Sequence, residues 1–551
     1  MSNFVEMLYR QLPIFCLYFF APYAILYITI RNVHSYSRAK EGIHTVQLLL
    51  KPSNYERYEI DRCFRALAHM HNVCVKHARK CMVRLQYDKD YAALRQQYME
   101  LSKKLSKKEE LSKEDKAEKK ALSAQLAERR SAYGLSKSAL ECYLKVCGKQ
   151  FSKLLSSQQV QTEADRVWCG VEKCLFGNGK ALRFKRFMDF DTIGGKSNKN
   201  GACFDSEAMM VSWVGLSLKC FLPKSASSRS YVEESLKGTV CYCNIKQKMF
   251  SSGWRYYAEI ILNEDAPARK RPIGTSTMGI DPGVSTVAGV SETACVLEEL
   301  APKAIRYEKK IQALSQSMDR SRRISNPDKY NEDGTIKRSN HEPWRHSENY
   351  LKMSRMLKTL HRKRHDYIVG SHRQLCNKLL LDSKYFLVEK MQFQALQKRA
   401  KETKRQEAVS EVRQKNGGIK LIQKFKRKKR FGKSIGRRAP ARFLLELKQK
   451  AEAVGGGYAE VDTKEFKASQ YNHVTGNYEK ISLSQREKQI GGRIIQRDLY
   501  SAFLIHNADP ELKHPDIEKC KYEFKKFADK HDQLILSMKK NGLSMRQCFG
   551  F

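Results

Sequence analysis

Cysteine is sparse in this chain. Sixteen Cys in 551 residues, about 3%, fall well below the density of a disulfide scaffold. No Cys-x-x-Cys occurs, so spacing gives no support for a Cys-rich zinc module. Cys241 and Cys243, with Val240, Tyr242 and Ile245 alternating around them, read as one strand face. Free, mostly buried thiols in a reducing cytosol are expected. Acidic residues are also in deficit, 59 Asp plus Glu against 103 Lys plus Arg, for a net charge of +44. Such a surplus strains a compact protein by self-repulsion unless a polyanion neutralises it. An ordinary basic surface corresponds to a few charges, so nucleic acid is the partner the balance points to. Disorder of the whole chain is excluded by 41% hydrophobic and 10% aromatic residues, enough to bury real cores.

Long apolar runs are limited to the N-terminus. Residues 12–30 carry no charge between Arg10 and Arg31, the length of a membrane-spanning helix, although Pro13 and Pro22 weaken it. No small-residue cleavage site follows, which argues against a signal peptide. The remaining readings are a membrane anchor through 12–30 and a dispensable or miscalled extension over 1–43.

The length suggests about three or four domains at ~150 residues each. Residues 44–51 read as a strand ended by Pro52. From 58 to about 88, Ile60, Phe64, Leu67, Met70, Val73 and Val75 recur at helical spacing. Residues 90–135 are rich in Lys and Glu, with Leu101, Leu105, Leu111, Leu122 and Leu126, and predict a helical hairpin or coiled coil with solvated faces. Residues 136–176 are helical again. Near 180 the pattern changes. Phe184-Lys185-Arg186-Phe187 interleaves aromatic and basic residues, suited equally to base stacking and to a strand core. Alternating runs at 209–222, 238–245 and 254–262 predict antiparallel strands.

Three carboxylates stand out. MGIDPGVSTVAGVS (278–291) is an apolar strand leading to Asp281, a Pro-Gly turn, and a second strand. YFLVEKMQF (385–393) is continuously apolar, as in a central buried strand, and then reaches Glu389. IIQRDLYSAFLI (494–505) reads as an amphipathic helix with Asp498 early in it. Two carboxylates at strand ends and one on a helix suit a site holding two Mg²⁺ about 4 Å apart for phosphodiester hydrolysis.

These stretches resemble the RuvC-type nuclease of the TnpB (OrfB) family of insertion-sequence proteins, related to type V CRISPR effectors and Fanzor proteins. The likeness rests on GIDPGVSTVAG (279–289), FLVEKMQFQAL (386–396) and QRDLYSAFLI (496–505). NPDKYNEDGTIK (326–337) and a long helix over 352–380 lie between the first two. TVQLLLKPSNYE (45–56), followed by Asn72, is similar to the family's opening. The resemblance spans about 44 to 510.

It implies a multidomain α+β protein. An oligonucleotide-binding-like β-barrel (wedge) would be interrupted by a helical recognition lobe and followed by a RuvC/RNase H-like nuclease domain. The expected boundaries are an extension over 1–43, a first wedge strand over 44–52, the helical lobe over 53–204, the barrel over 205–272 and the nuclease domain over 273–551. The last carries a basic insert at 396–438 and a loop at 462–495 where relatives hold zinc. The implied activity is RNA-guided DNA cleavage at a single RuvC site, with Asp281, Glu389 and Asp498 as catalytic metal ligands for two Mg²⁺ (Mn²⁺ being an alternative). Guide RNA and double-stranded target DNA are the implied partners, in a cytoplasmic, nucleoid-associated setting with no stable membrane partner. Since the likeness starts near residue 44, and a membrane anchor suits a genomic nuclease poorly, an upstream start-site artefact or dispensable extension is favoured for 1–43.

The chain departs from the family in one place. Members carry two Cys-x-x-Cys pairs, whereas 467–498 contains no Cys and only His473, although Ser469 and Arg486 match. No structural zinc is expected, and packing should hold the loop. Residues 396–438 hold 17 Lys or Arg against 3 acidic residues. Lys424, Lys426, Arg427, Lys428, Lys429, Arg430, Arg437 and Arg438 are the candidate nucleic-acid contacts. The competing function is a nuclease-inactive RNA-guided repressor, which loss of a carboxylate would favour; all three are present. A transposase proper is disfavoured, because no HUH motif with a partnering Tyr is recognisable.

Overall fold

The computed structural model describes residues 42–105, 112–177, 179–250, 252–267, 272–332, 334–337, 342–397, 405–413, 418–425, 432–480, 482, 485–544 and 548. The extension 1–41, with the apolar run 12–30, lies outside them. Among the described residues no helix is long and apolar enough to cross a membrane. The fifteen described cysteines are all free. The chain divides into two compact units, one within Asn32–Arg269 and one within Lys270–Phe551.

In the first unit, β1 (His44–Leu50) buries Val46, Leu48 and Leu50 on one face, as period-2 alternation requires. Pro52 cannot continue the ladder, and the chain turns into α1 (Asn54–Gln86). A capping box starts this helix: Ser53 N–H donates to Glu56 Oε2 at 2.6 Å, and Glu56 N–H to Ser53 Oγ at 3.3 Å. The helices α2 (Lys89–Leu105) and α3 (Lys113–Ala132) form the Lys- and Glu-rich hairpin. Only Tyr91, Leu105 and Leu126 of their side chains are buried, so most of the hairpin surface is solvated. Then come α4 (Lys137–Gly148) and α5 (Ser157–Leu175). Glu163 of α5 is fully buried yet charged, because Arg166 Nη1 (2.9 Å) and His71 Nδ1 of α1 (2.6 Å) flank it. Those partners hold its carboxyl below the usual range against the opposing effect of burial.

The strands β2 (Thr192–Ile193), β3 (Cys203–Asp205), β4 (Met210–Trp213) and β5 (Leu216–Phe221) precede α6 (Ala226–Ser235), β6 (Val240–Phe250) and β7 (Gly253–Leu262). With β1 they form a seven-stranded antiparallel sheet in the order β2-β6-β7-β1-β5-β4-β3. The first strand therefore lies mid-sheet, between two strands some 170 and 200 residues later in the chain. The expected barrel is an open sheet in which β3 comes close to β6 without pairing to β2. Its edge strands are two and three residues long and offer little ladder with which to close it. The run 209–222 is two strands, not one, because Val214 and Gly215 turn at positive φ (50° and 75°).

In the second unit, β8 (Ser276–Pro282), β9 (Thr286–Ser291) and β10 (Cys295–Glu299) form an antiparallel meander. Two helices, α7 (Ala304–Ile324) and α8 (Glu348–Leu380), lead to β11 (Ser383–Glu389), which lies parallel to β8. Beyond it come α9 (Phe393–Gln397), a ribbon of β12 (Arg405–Arg413) and β13 (Ile419–Phe425), α10 (Gly432–Arg438), α11 (Pro440–Ala453) and β14 (Gly457–Val461). β14 is parallel to β11 on its other side, so the sheet order is β10-β9-β8-β11-β14. The short α12 (Thr463–Phe466) and the hairpin β15 (Glu487–Ile490) and β16 (Arg493–Gln496) follow, then α13 (Arg497–His506) and α14 (Ile517–Lys540). Gly491 and Gly492, both at positive φ (54° and 79°), make the two-residue hairpin turn.

One face of the central sheet, with Met278, Ile280, Phe386 and Val388, packs with Leu379, Phe443 and Leu447 of α8 and α11. Ala288, Val290 and Val461 point to the other face, where Leu499, Phe503 and Phe527 of α13 and α14 cover them.

Candidate active site

Strand alternation decides where the carboxylates point. Met278 and Ile280 enter the α8/α11 core, so Gly279 and Asp281 face α13. Phe386 and Val388 enter the same core, while Leu387 packs with the α13 side, which directs Glu389 there as well. The parallel register pairs Val388 with Ile280, and Glu389 and Asp281 are the next residues on two neighbouring strands. Gly279 allows the third member to approach. A Cβ at that position would stand 2.3 Å from the carbonyl oxygen of Ala502 and from the amide nitrogen of His506. Only glycine lets α13 lie that close to the strand, and Asp498 sits in the first turn of α13. Gln496 caps the helix through its side chain, accepting from Leu499 N–H, and its own N–H donates to His531 Nε2 at 3.0 Å. An acidic residue in the first turn is also favoured by the helix dipole.

The structure thus brings Asp281, Glu389 and Asp498 onto one face of the sheet, close enough to act on one another electrostatically. Burial, then the charges of Glu389 and Asp498, push the Asp281 carboxyl well up, while Arg497 opposes them. Burial also raises Glu389, which is only 9% exposed. The two carboxyls lie within hydrogen-bonding reach of each other, so they titrate as a pair and not as independent groups.

Asp498 has a different environment. Arg497 places Nε at 3.1 Å and Nη2 at 3.0 Å from its Oδ1. Gln496 Nε2 reaches Oδ2 at 3.3 Å, and Arg486 Nη1 lies 3.7 Å from the same oxygen. The sequence singled out Asp498 but missed Arg497 and Gln496. Their adjacency to it in QRD was the available signal.

The donor set suits a divalent cation chemically: three hard anionic oxygen donors share one face. As the side chains stand, no group of three or more His, Cys, Asp or Glu among the described residues is arranged to hold a metal ion.

The Cys-free loop is built on an aromatic core. Phe466, Ala468 and Tyr471 are buried, and His473 N–H donates to the Tyr500 hydroxyl at 3.0 Å. The ring Nδ1 of His473 lies 2.8 Å from that hydroxyl, and burial lowers its pKa to about 4, keeping the imidazole neutral.

Of the basic candidates, Lys426, Arg427, Lys428, Lys429 and Arg430 lie outside the described residues, as does the side chain of Lys424 on β13. Arg437 pairs with Glu308 of α7 and Arg438 with Glu299 of β10, so both are neutralised within their own unit. In the first unit, Phe184 lies in a segment without regular structure and Phe187 begins a turn of 3-10 helix, both held against α1. Asn72 bonds both the N–H and the C=O of Lys185 (2.9 and 2.8 Å), and Arg79 and Arg65 stack on the two rings at 4.5 and 4.2 Å.

No protein-family model matches the chain, and no curated protein does. Among solved structures it is similar to a Cas12f1–sgRNA–target DNA complex at 12% identity and TM-score 0.42, covering 86% of this chain and 99% of that one. It is also similar to a CRISPR-Cas12f ternary complex at 14% identity and TM-score 0.27, covering 85% and 99%. With TM-scores below 0.5, these likenesses leave the function to be read from this chain's own residues.

Proposed function

We propose that the chain is an RNA-guided DNA endonuclease of the TnpB type, whose Lys270–Phe551 unit is a RuvC/RNase H-like nuclease domain and whose open seven-stranded sheet is the wedge. The observation that carries this reading is the pair Asp281 and Glu389. They end two adjacent parallel strands, face the same helix, and are both pushed above the usual carboxylate range, burial being the first cause in each. Two buried carboxylates side by side are costly to keep in a fold. A site that takes up divalent cations gives them a purpose.

In this reading Asp281, Glu389 and Asp498 hold two Mg²⁺, which supply Lewis acidity toward the scissile phosphate and lower the pKa of an attacking water. The chain's own residues do the remainder. The β8–β11 register fixes the spacing of Asp281 and Glu389. Gly279 sets the depth of α13, and Gln496 orients its first turn. The net charge of +44 is the support for guide RNA and target DNA as partners, since both are polyanions. The absence of zinc from the 462–495 loop is part of the proposal, supported by the aromatic core around His473 and Tyr500 and contradicted by one tightly bound zinc per chain.

A nuclease-inactive RNA-guided repressor is the second reading, favoured by the engagement of both Asp498 oxygens with neighbouring side chains. Mg²⁺-dependent cleavage of a plasmid bearing a target matched to RNA sequenced from the purified protein separates the two. Cutting supports the nuclease. Guided binding without cutting supports the repressor.

A further inference from the structure

We infer that Arg497 is a built-in counter-ion for the carboxylate site, occupying Asp498 while no divalent cation is bound and having to leave it for one to bind. The inference rests on the nuclease reading above and assigns a role to a residue next to the third carboxylate.

Arg497 is 8% exposed, and a guanidinium does not lose its proton in a protein, so its charge must be met locally. Asp498 Oδ1 meets it through two nitrogens of one guanidinium, while Oδ2 is taken by Gln496, with Arg486 beyond it. With two guanidinium bonds on Oδ1 and an amide bond on Oδ2, most of the acceptor capacity of Asp498 is already engaged. This accounts for three acidic groups that sense one another yet do not form a coordination cluster.

A second anchor makes the arrangement reversible. Arg497 Nη1 donates to the backbone carbonyl of Gln485 at 3.2 Å. When Asp498 turns away, this carbonyl still fixes the guanidinium at the rim, and the chain there is the β15 approach, not the sheet. A cation at Asp281 and Glu389 and the guanidinium on Asp498 repel each other at this range, so one displaces the other. Arg497 is therefore a positioning residue: it keeps Asp498 ordered and the site from being a bare cluster of like charge, and it sets how tightly metal is held.

The test is Mn²⁺ binding to the full-length protein, read as loss of the free-ion electron paramagnetic resonance signal, for wild type, Asp281→Asn, Arg497→Gln and Arg497→Lys. Far-UV circular dichroism and melting check folding. Arg497→Gln is expected to bind Mn²⁺ about tenfold more tightly than wild type, the scale of one charge-assisted hydrogen bond. Arg497→Lys, a point charge with a shorter reach, is expected to fall between them. Unchanged or weaker binding in folded Arg497→Gln overturns the inference. If that variant does not fold, Arg497→Lys decides on the same criterion. Wild type that binds no Mn²⁺ sensitive to Asp281→Asn overturns the nuclease reading and, with it, this inference. Asp281-dependent binding that ignores Arg497 overturns the inference alone.

Discussion

Gly279 and Ala502 are in backbone contact across the sheet–helix interface: a side chain on the glycine would begin 2.3 Å from the carbonyl oxygen of Ala502. That contact sets the distance between the strand that ends in Asp281 and the helix that begins at Asp498. Gly279→Ala is therefore expected to push α13 off the sheet. It should lower stability by about 1–3 kcal/mol or more, because the obstacle is backbone and cannot change rotamer. Cleavage should fall further than the melting point suggests, since the carboxylates separate. Melting and cleavage measured together check this; a variant melting with wild type removes the packing account.

His473 predicts a pH effect. Its folded pKa, lowered to about 4 by burial, lies below the value of about 6.5 expected in the unfolded chain. The stability it contributes is complete above pH 6.5 and is lost as the pH falls toward 4, by at most about 3 kcal/mol. His473→Gln keeps a polar side chain for Tyr500 but does not titrate. The melting difference between wild type and this variant should shrink or reverse between pH 7 and pH 4.5, and a constant difference contradicts the assignment.

Glu163, at zero exposure on α5, ties that helix to α1 through His71 and pairs with Arg166 one turn along its own helix. Removing it leaves the buried His71 without its partner and Arg166, half-buried, with only the Thr192 carbonyl. Glu163→Ala is expected to cost about 1–3 kcal/mol in the first unit. Denaturant unfolding checks the figure; a loss under about 1 kcal/mol means water replaces the carboxylate.

Arg437 and Arg438 already have carboxylate partners, so they should differ from the run 426–430 in nucleic-acid binding. Changing Arg437 to Gln should lower the melting point and leave the salt dependence of DNA affinity nearly unchanged. Replacing Lys426, Arg427, Lys428, Lys429 and Arg430 with Ser should flatten that dependence by about 0.9 in log–log slope for each phosphate no longer neutralised. Equal effects from both sets contradict the distinction.

Much of this architecture is legible in the residues, and its limits have physical causes. Asp281 and Glu389 are conspicuous because each ends an apolar run, and burial of that run forces the carboxylate to a strand end. Helix α1 spans Asn54–Gln86 where periodicity indicates 58–88, because its stripe is long and regular. The expected helix at 494–505 starts only at Arg497, since Ile494 and Ile495 belong to β16, and a short apolar run does not distinguish strand from helix. The open edge of the seven-stranded sheet depends on strands of two and three residues, too short to show a period. The partners of Arg497, Arg437 and Arg438 are choices among many nearby acids made by tertiary packing. Local pattern carries no record of them.

The central claim is that Asp281, with Glu389 and Asp498, forms the cutting site. Its most direct test is Mg²⁺-dependent cleavage of a guide-matched plasmid by wild type and by Asp281→Ala, with RNA binding measured in parallel. Wild type is expected to cut and Asp281→Ala is not, while both bind RNA alike, since one carboxylate barely alters a surface carrying +44. Wild type that cuts no better than Asp281→Ala, with guide RNA bound in both, contradicts the claim.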